Sequence, residues 1–153
     1  MSIAHPRAPR PVSLSWWGLL ALLVMALGFA ATADAGKRSE RNRLDRIQYD
    51  WSAAIRWGDF EGAWNLVDPE VRKARPMTDL DFSRYQQVQV SAYRTLGSSD
   101  GPDGTVLREV RIEVINRHTL SQREVRYTEV WRYDRETKTW WNTAGLPDFW
   151  AGQ

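Results

Sequence analysis

Hydrophobic and polar residues alternate along two neighbouring runs of the chain between Val106 and Trp141. The hydrophobic positions are Val110, Ile112 and Val114 in the first run, and Val125, Tyr127, Trp131 and Tyr133 in the second. Alternation with a period of two is typical of strands that bury one face and expose the other. The polar segment 116–122 between the runs predicts that the two strands are antiparallel neighbours in one sheet.

Hydrophobic residues upstream of these runs follow helical spacing instead. They fall three and four residues apart at Leu44, Ile47, Trp51, Ala54 and Ile55, which predicts an amphipathic helix. Ser39 is expected to cap its N-terminus, and Gly58 is expected to end it. Asp59 is expected to cap a second, shorter helix, and a third short helix is predicted between Asp68 and Pro76.

Strands are predicted only after these helices. A first strand is expected within residues 85–96, a loop rich in Gly, Ser, Asp and Pro follows at 97–104, and a fourth strand carries Trp140 and Trp141. Helices first and strands second is the order of a segregated α+β domain. We therefore expect N-terminal helices packed on a curved, mostly antiparallel sheet of four or more strands.

Three features of this layout resemble the cone-shaped α+β fold of the nuclear transport factor 2 superfamily. They are the opening helix with Trp51 and Ile55, the step WGDFEGAW at 57–64, and the closing strands YTEVWRYDRETKTWW at 127–141. The resemblance covers residues 44–149. It implies a cone with a pocket at its open end, which relatives use as an active site, a ligand pocket, or a dimer and partner surface.

The N-terminus has the pattern of a targeting segment. Arg7 and Arg10 precede an apolar run at residues 12–33, and triplets of small residues end at Ala35. This pattern predicts a signal peptide cleaved near Ala35. The alternative is a retained membrane helix, with Trp16 and Trp17 at the membrane interface. Residues 1–35 are thus a leader or an anchor, and residues 36–153 form a single α+β domain.

The compartment depends on which alternative holds. A cleaved leader predicts a periplasmic or extracellular protein, and a retained one predicts attachment to the cytoplasmic membrane. The bases that follow the apolar run outnumber the two that precede it; they are Lys37, Arg38, Arg41, Arg43 and Arg46. If the segment is retained, this charge bias favours a domain that faces the cytoplasm.

Composition excludes several kinds of chemistry. The chain of 153 residues contains no cysteine, so it has no disulfide, thiolate metal site or cysteine nucleophile. Its net charge is only +2 and both signs are mixed along the chain, so no nucleic-acid partner is predicted. His118 is expected in an exposed turn. No catalytic, metal-binding or cofactor-binding motif is present, which favours a protein that is not an enzyme.

Three charged residues break the alternation and mark a candidate ligand site. Arg94, Arg108 and Glu129 are predicted to share the apolar face of the sheet with Trp131, and Arg108 is expected to lie across from Trp131. Two guanidiniums, a carboxylate and an indole near one end of the sheet suit a small anion or a partner's carboxylate. The alternative is the solvated end of the strands, where Glu129 neutralises one arginine.

The tryptophans give a second kind of candidate. Trp51, Trp57 and Trp64 lie at helical spacing and are expected in the core. Trp140 and Trp141 are adjacent in a strand and must point to opposite faces, so one of them meets solvent, the C-terminal tail or a partner. This pair is the candidate interface.

These observations favour a non-enzymatic binding or interaction domain, exported or anchored in the membrane, with a protein partner or a second copy of itself. The alternative is a small-molecule enzyme or ligand carrier that uses the cone pocket, and a further one is an anchored accessory domain that faces the cytoplasm.

Overall fold

The computed structural model describes the backbone of residues 16–150 and the side chains of residues 36–150. The predicted leader at 1–35 lies outside the residues whose side chains are described, and its fate stays a prediction. The chain divides into two compact units, Met1–Ser39 and Glu40–Gln153, and the second holds the sheet and the short helices. Within residues 36–150, no helix has both the length and the apolar character needed to cross a membrane.

In the described part of the chain, the α-helices precede the strands, and a single 3-10 turn at Pro102–Gly104 connects the first two strands. The helices are α1 (Trp16–Trp57), α2 (Phe60–Trp64), α3 (Pro69–Ala74) and α4 (Asp79–Tyr85), and the strands are β1 (Val88–Asp100), β2 (Val106–Asn116), β3 (Gln122–Asp134) and β4 (Thr139–Asn142). The strands form one antiparallel sheet in the order β1-β2-β3-β4. The predicted α+β fold, with N-terminal helices and a four-stranded antiparallel sheet, is confirmed.

Local capping explains most helix boundaries. Gly58 ends α1 in the left-handed region, at φ 73°, which glycine adopts without steric cost. Asp59 then caps α2 by accepting a hydrogen bond of 2.8 Å from the Gly62 amide. The expectation that Ser39 starts the first helix is wrong, because α1 continues through it. Alanines precede Ser39 in the sequence, and their high helix propensity favours an uninterrupted helix.

The core lies between one stripe of α1 and the inner face of the sheet. The stripe consists of the buried residues Leu44, Gln48, Trp51 and Ile55, spaced by four, three and four. Trp51 stacks on Tyr127 with 6.4 Å between ring centroids and meets Trp131 edge-on at 5.9 Å. Trp51 thus lies in the core as expected. Trp64 is half-buried and packs against the edge of this core. The prediction for Trp57 is wrong, because its side chain is 88% exposed.

The two edges of the sheet differ. The chain at Val67 forms a parallel bridge to Asn142 of β4, and the Asp68 amide donates to the Asn142 carbonyl at 2.9 Å. In the described structure β1 pairs only with β2, and its register shifts twice, at Ser91 and at Leu96. Each extra residue is a β-bulge, which reverses the side-chain alternation that follows it.

Candidate functional site

A buried ion pair joins the two central strands. Arg108 of β2 and Glu129 of β3 are directly opposite each other, and the Glu129 side chain is 0% exposed. Arg108 donates from Nε to Glu129 Oε2 and from Nη2 to Oε1, both at 2.8 Å. The Trp131 indole also donates to Oε2, at 2.7 Å, and the Tyr93 hydroxyl donates to Oε1. Each carboxylate oxygen therefore accepts two hydrogen bonds, which compensates for burying the charge.

Arg108 also ties the sheet to α1. Its Nη2 donates to the backbone carbonyl of Gln48 at 3.2 Å, and its Nη1 donates to the Gln48 side-chain oxygen at 3.4 Å. Burial opposes the charged form of Arg108, but the hydrogen bonds and the negative charge of Glu129 outweigh it and raise the pKa of the guanidinium. Arg108 therefore keeps its positive charge inside the domain.

The tyrosines around this pair are held neutral. Burial, followed by the negative charge of Glu129, raises the pKa of Tyr93 far above its ordinary value. Burial also raises the pKa of Tyr127, whose hydroxyl accepts a hydrogen bond of 3.0 Å from Asn142 Nδ2. A neutral Tyr93 keeps its proton and can donate a hydrogen bond to Glu129, as the geometry shows.

Three of the four predicted ligand residues come together, and the fourth does not. Arg108, Glu129 and Trp131 share the inner face, although Arg108 lies across from Glu129 and not from Trp131 as expected. The prediction that Arg94 joins them is wrong. The bulge at Ser91 turns Tyr93 inward and places Arg94 on the outer face, where its side chain is 64% exposed and lies 3.5 Å from Glu113. That Arg108, Glu129 and Trp131 bind a ligand stays a prediction.

The predicted tryptophan pair divides between the two faces of β4. Trp140 is buried, and its indole donates to the Glu40 carbonyl at 3.0 Å. Trp141 is half-buried on the outer face, opposite Arg132 of β3. Only Trp141 therefore offers surface to a partner, and its role in an interface stays a prediction.

A groove on the surface between α1 and β1 has a volume of about 570 Å³. It is lined by Tyr49, Ser52, Ala53, Arg56 and Trp57 of α1 and by residues 90–94 of β1. Trp57 is 88% exposed and Tyr49 is 71% exposed, so its helix side carries two large aromatic surfaces in contact with water. We call this feature the α1–β1 groove.

The charges of the α1–β1 groove have one sign. Arg56 and Arg94 line it, and none of its described lining residues is acidic. The Arg56 guanidinium lies 5.7 Å from the centre of the Tyr93 ring, and its Nη2 donates to the Tyr93 carbonyl at 3.1 Å. Tyr93 therefore links the groove to the buried ion pair, since its hydroxyl contacts Glu129 while its carbonyl faces Arg56.

Comparisons with models of known protein families, with curated proteins and with solved structures found no match.

The α1–β1 groove was not predicted, although helix geometry contains a signal for part of it. Trp57 follows Trp51 by six residues, which is a rotation of about 240° around the helix. It follows Ile55 by two residues, or about 200°, so it must point away from the stripe that faces the sheet.

The other titratable side chains of residues 36–150 form no metal-binding cluster. His118 is exposed in the turn between β2 and β3, as expected. Among the described residues, no group of three or more His, Asp or Glu side chains is arranged to hold a metal ion.

A smaller groove of about 390 Å³ lies beside α4 and the chain end. Arg84 stacks over the Trp150 ring at 4.7 Å, and Tyr85 donates from its hydroxyl to the Pro147 carbonyl at 3.1 Å. Burial and the charge of Asp148 raise the pKa of Tyr85 to about 12. These contacts fasten the C-terminal segment to α4.

Proposed function

We propose that this chain is a non-enzymatic interaction domain that binds a partner protein through the α1–β1 groove, and that it is exported or held at the cytoplasmic membrane by residues 1–35. The observation that carries the proposal is the 88% exposure of Trp57 beside two arginines. Removing a tryptophan side chain from water is favourable by a large free energy, so a partner surface that covers Trp57 gains binding free energy.

The composition of the groove supports a protein as its occupant. Tryptophan, tyrosine and arginine are the residues that most often dominate binding energy at protein interfaces. Trp57, Tyr49, Arg56 and Arg94 supply all three types within one groove. A small molecule is usually enclosed on most sides by its pocket, whereas Trp57 and Tyr49 leave this groove wide open to solvent.

The interior supports a scaffold more than a catalytic site. Three buried polar side chains, Glu129, Arg108 and Tyr93, form hydrogen bonds with one another. Structural ion pairs are typically satisfied in this way. The order of helices followed by an antiparallel sheet also supports membership of the nuclear transport factor 2 superfamily, which we propose as the fold family.

Site-specific photo-crosslinking in the native cell tests the proposal. A photoreactive amino acid replaces Tyr49 in the full chain, and the matched control carries it at Leu120, which is 76% exposed in the β2–β3 turn. We expect a discrete adduct with another protein from position 49 only, which disappears when Trp57→Ala is added. Equal adducts from both positions, or none from position 49, would contradict binding through the groove.

The compartment has its own test. N-terminal sequencing of the mature protein distinguishes cleavage near Ala35 from retention of the segment. A reporter fused after Gln153 then reports which side of the membrane the domain faces. If the N-terminus is intact and the reporter is active in the cytoplasm, the protein is an anchored accessory domain that faces the cytoplasm and is not exported.

A further inference from the structure

We infer that the α1–β1 groove recognises an acidic segment of its partner, in which a carboxylate lies next to an apolar or aromatic side chain. The inference rests on the proposed function and adds the chemistry of the partner to it. Its basis is the charge of the groove, the position of its aromatic residues and the shape of the neighbouring strand.

Arg56 is the first charge that favours an acidic partner. Its side chain is exposed, and its described hydrogen bond to the Tyr93 carbonyl engages only Nη2. That bond and the Tyr93 ring hold the guanidinium in place at the wall of the groove. A guanidinium fixed in this way loses little conformational freedom when it pairs with a carboxylate.

Arg94 is the second charge, and it sits on the opposite wall. The bulge at Ser91 turns it outward, where its side chain is 64% exposed. Its described ion pair, with Glu113 at 3.5 Å, is long and leaves most of the Arg94 side chain in water. An ion pair of that kind is weak, so Arg94 can still attract a partner's carboxylate.

The apolar side chain of the segment has its own surface. Trp57 and Tyr49 are the exposed aromatics of the groove, and Ala53 lies between them on α1. Aromatic residues flanked by arginine suit a partner that offers apolar surface and negative charge together.

Charge argues against a second copy of the chain as the occupant. A symmetric dimer places the same patch on both subunits, so Arg56 and Arg94 of each copy would meet with no acid among the described lining residues to separate them. The β1 edge argues against simple strand addition, because the bulges at Ser91 and Leu96 interrupt the even row of backbone groups that a new strand needs. Recognition through side chains fits both facts.

Selection from a random peptide library against the purified full chain tests the inference. We expect the enriched peptides to contain Asp or Glu beside an aromatic or large aliphatic residue. A synthetic peptide from that set is then compared with the same peptide carrying Asn or Gln at the acidic positions. Fluorescence anisotropy should show weaker binding of the neutral peptide, by roughly fivefold, and the difference should shrink at high salt.

Variants of the groove assign the effect to particular residues. R56Q/R94Q should weaken the acidic peptide by about two- to fivefold per guanidinium and leave the neutral peptide unchanged. R135Q is the matched control, since Arg135 is exposed in the β3–β4 turn, and it should not change affinity. W57A should weaken both peptides, by at least about tenfold, whereas L80A, at another exposed residue, should not.

Enrichment of basic or uncharged peptides, failure to enrich any peptide, or equal affinity of R56Q/R94Q and the unaltered chain would each overturn the inference. A Trp57-dependent crosslink with any of these results would leave the groove as an interaction site and reject only its preference for acid. Absence of the crosslink would reject the proposed function itself.

Discussion

Arg108 donates two hydrogen bonds of 2.8 Å to Glu129, directly across the β2–β3 pairing, at a place where the carboxylate has no exposed surface. Burying both charges is costly, and their pairing offsets that cost only while both are present. Loss of one partner therefore exposes the full penalty of burying the other.

Replacing Glu129 with glutamine should destabilise the domain strongly. E129Q keeps the shape of the side chain but leaves the Arg108 charge buried without a counter-charge, so we expect a loss of about 3–5 kcal/mol in the free energy of unfolding. Urea denaturation monitored by circular dichroism measures it. E124Q is the surface control: Glu124 pairs with Arg111 at 3.2 Å in a partly exposed position, and its loss should cost less than about 1 kcal/mol.

The double variant R108M/E129L separates pairing from packing. Because it removes both charges, it should be less destabilised than the sum of R108M and E129L. Residual destabilisation is expected, since the Tyr93 hydroxyl and the Trp131 indole lose their acceptor. Strict additivity of the two single changes would show that the charges do not stabilise each other.

Stability should fall in alkaline solution, with Tyr85 as one cause. Its pKa is raised to about 12 in the folded protein by burial and by the charge of Asp148, compared with about 10 in the unfolded chain. Above pH 10 the unfolded chain loses this proton first, so the stabilising contribution is complete below pH 10 and is lost as the pH rises towards 12.

Urea unfolding at several values between about pH 8 and pH 11 measures this dependence. Y85F should flatten the alkaline decline, even though it loses the hydrogen bond to Pro147 at every pH. Y49F is the control at an exposed tyrosine and should keep the decline. An unchanged slope in Y85F would remove Tyr85 as a cause.

Asp68 should matter more to stability than another helix-capping aspartate. It is buried, caps α3 through the Glu70 amide at 2.9 Å, and accepts hydrogen bonds of 2.9 and 2.6 Å from Arg132. D68A removes the cap of α3 and leaves the Glu70 amide and the Arg132 guanidinium without their acceptor. We therefore expect a loss of about 2 kcal/mol or more in the free energy of unfolding. D59A removes only the exposed cap of α2 and should cost about 1 kcal/mol. Thermal denaturation compares the two variants, and equal losses would show that the ion pair with Arg132 adds nothing to the stability that the cap provides.

The two tryptophans of α1 should behave oppositely. W57A should change the free energy of unfolding by less than about 0.5 kcal/mol, since the side chain is exposed, whereas W51A should cost about 3–5 kcal/mol through the cavity it leaves. Iodide quenching of fluorescence supplies an independent measurement, because W57A should remove the most accessible indole of residues 36–150. A large loss of stability in W57A would mean that Trp57 is buried, and Trp57 could then not serve as a contact surface in the α1–β1 groove.

Period and spacing were sufficient to predict the sheet, the short helices and two of the charges on the inner face. Arg108 and Glu129 lie on strands with regular alternation, so counting by twos assigns their face correctly. Arg94 lies beyond the bulge at Ser91. A lone serine within an alternating run does not predict a bulge, so the count fails by one residue.

The start of α1 was also hidden from the sequence. Ser39 is a favourable cap, but capping decides a boundary only where the preceding residues leave the helix. Tyr93 was missed for the same reason as Arg94, since one inserted residue exchanged their faces. Such shifts arise from tertiary packing of the edge strand and leave no local signature.

The Arg108–Glu129 pair has a consequence for how the strands find their partners. A slip of β3 by two residues keeps every apolar side chain on the inner face, so hydrophobic burial alone cannot distinguish the correct pairing from this error. It would, however, place Tyr127 or Trp131 across from Arg108 and leave two buried charges without each other. The domain therefore carries an electrostatic check on strand alignment, which removes alternatives that its hydrophobic pattern permits.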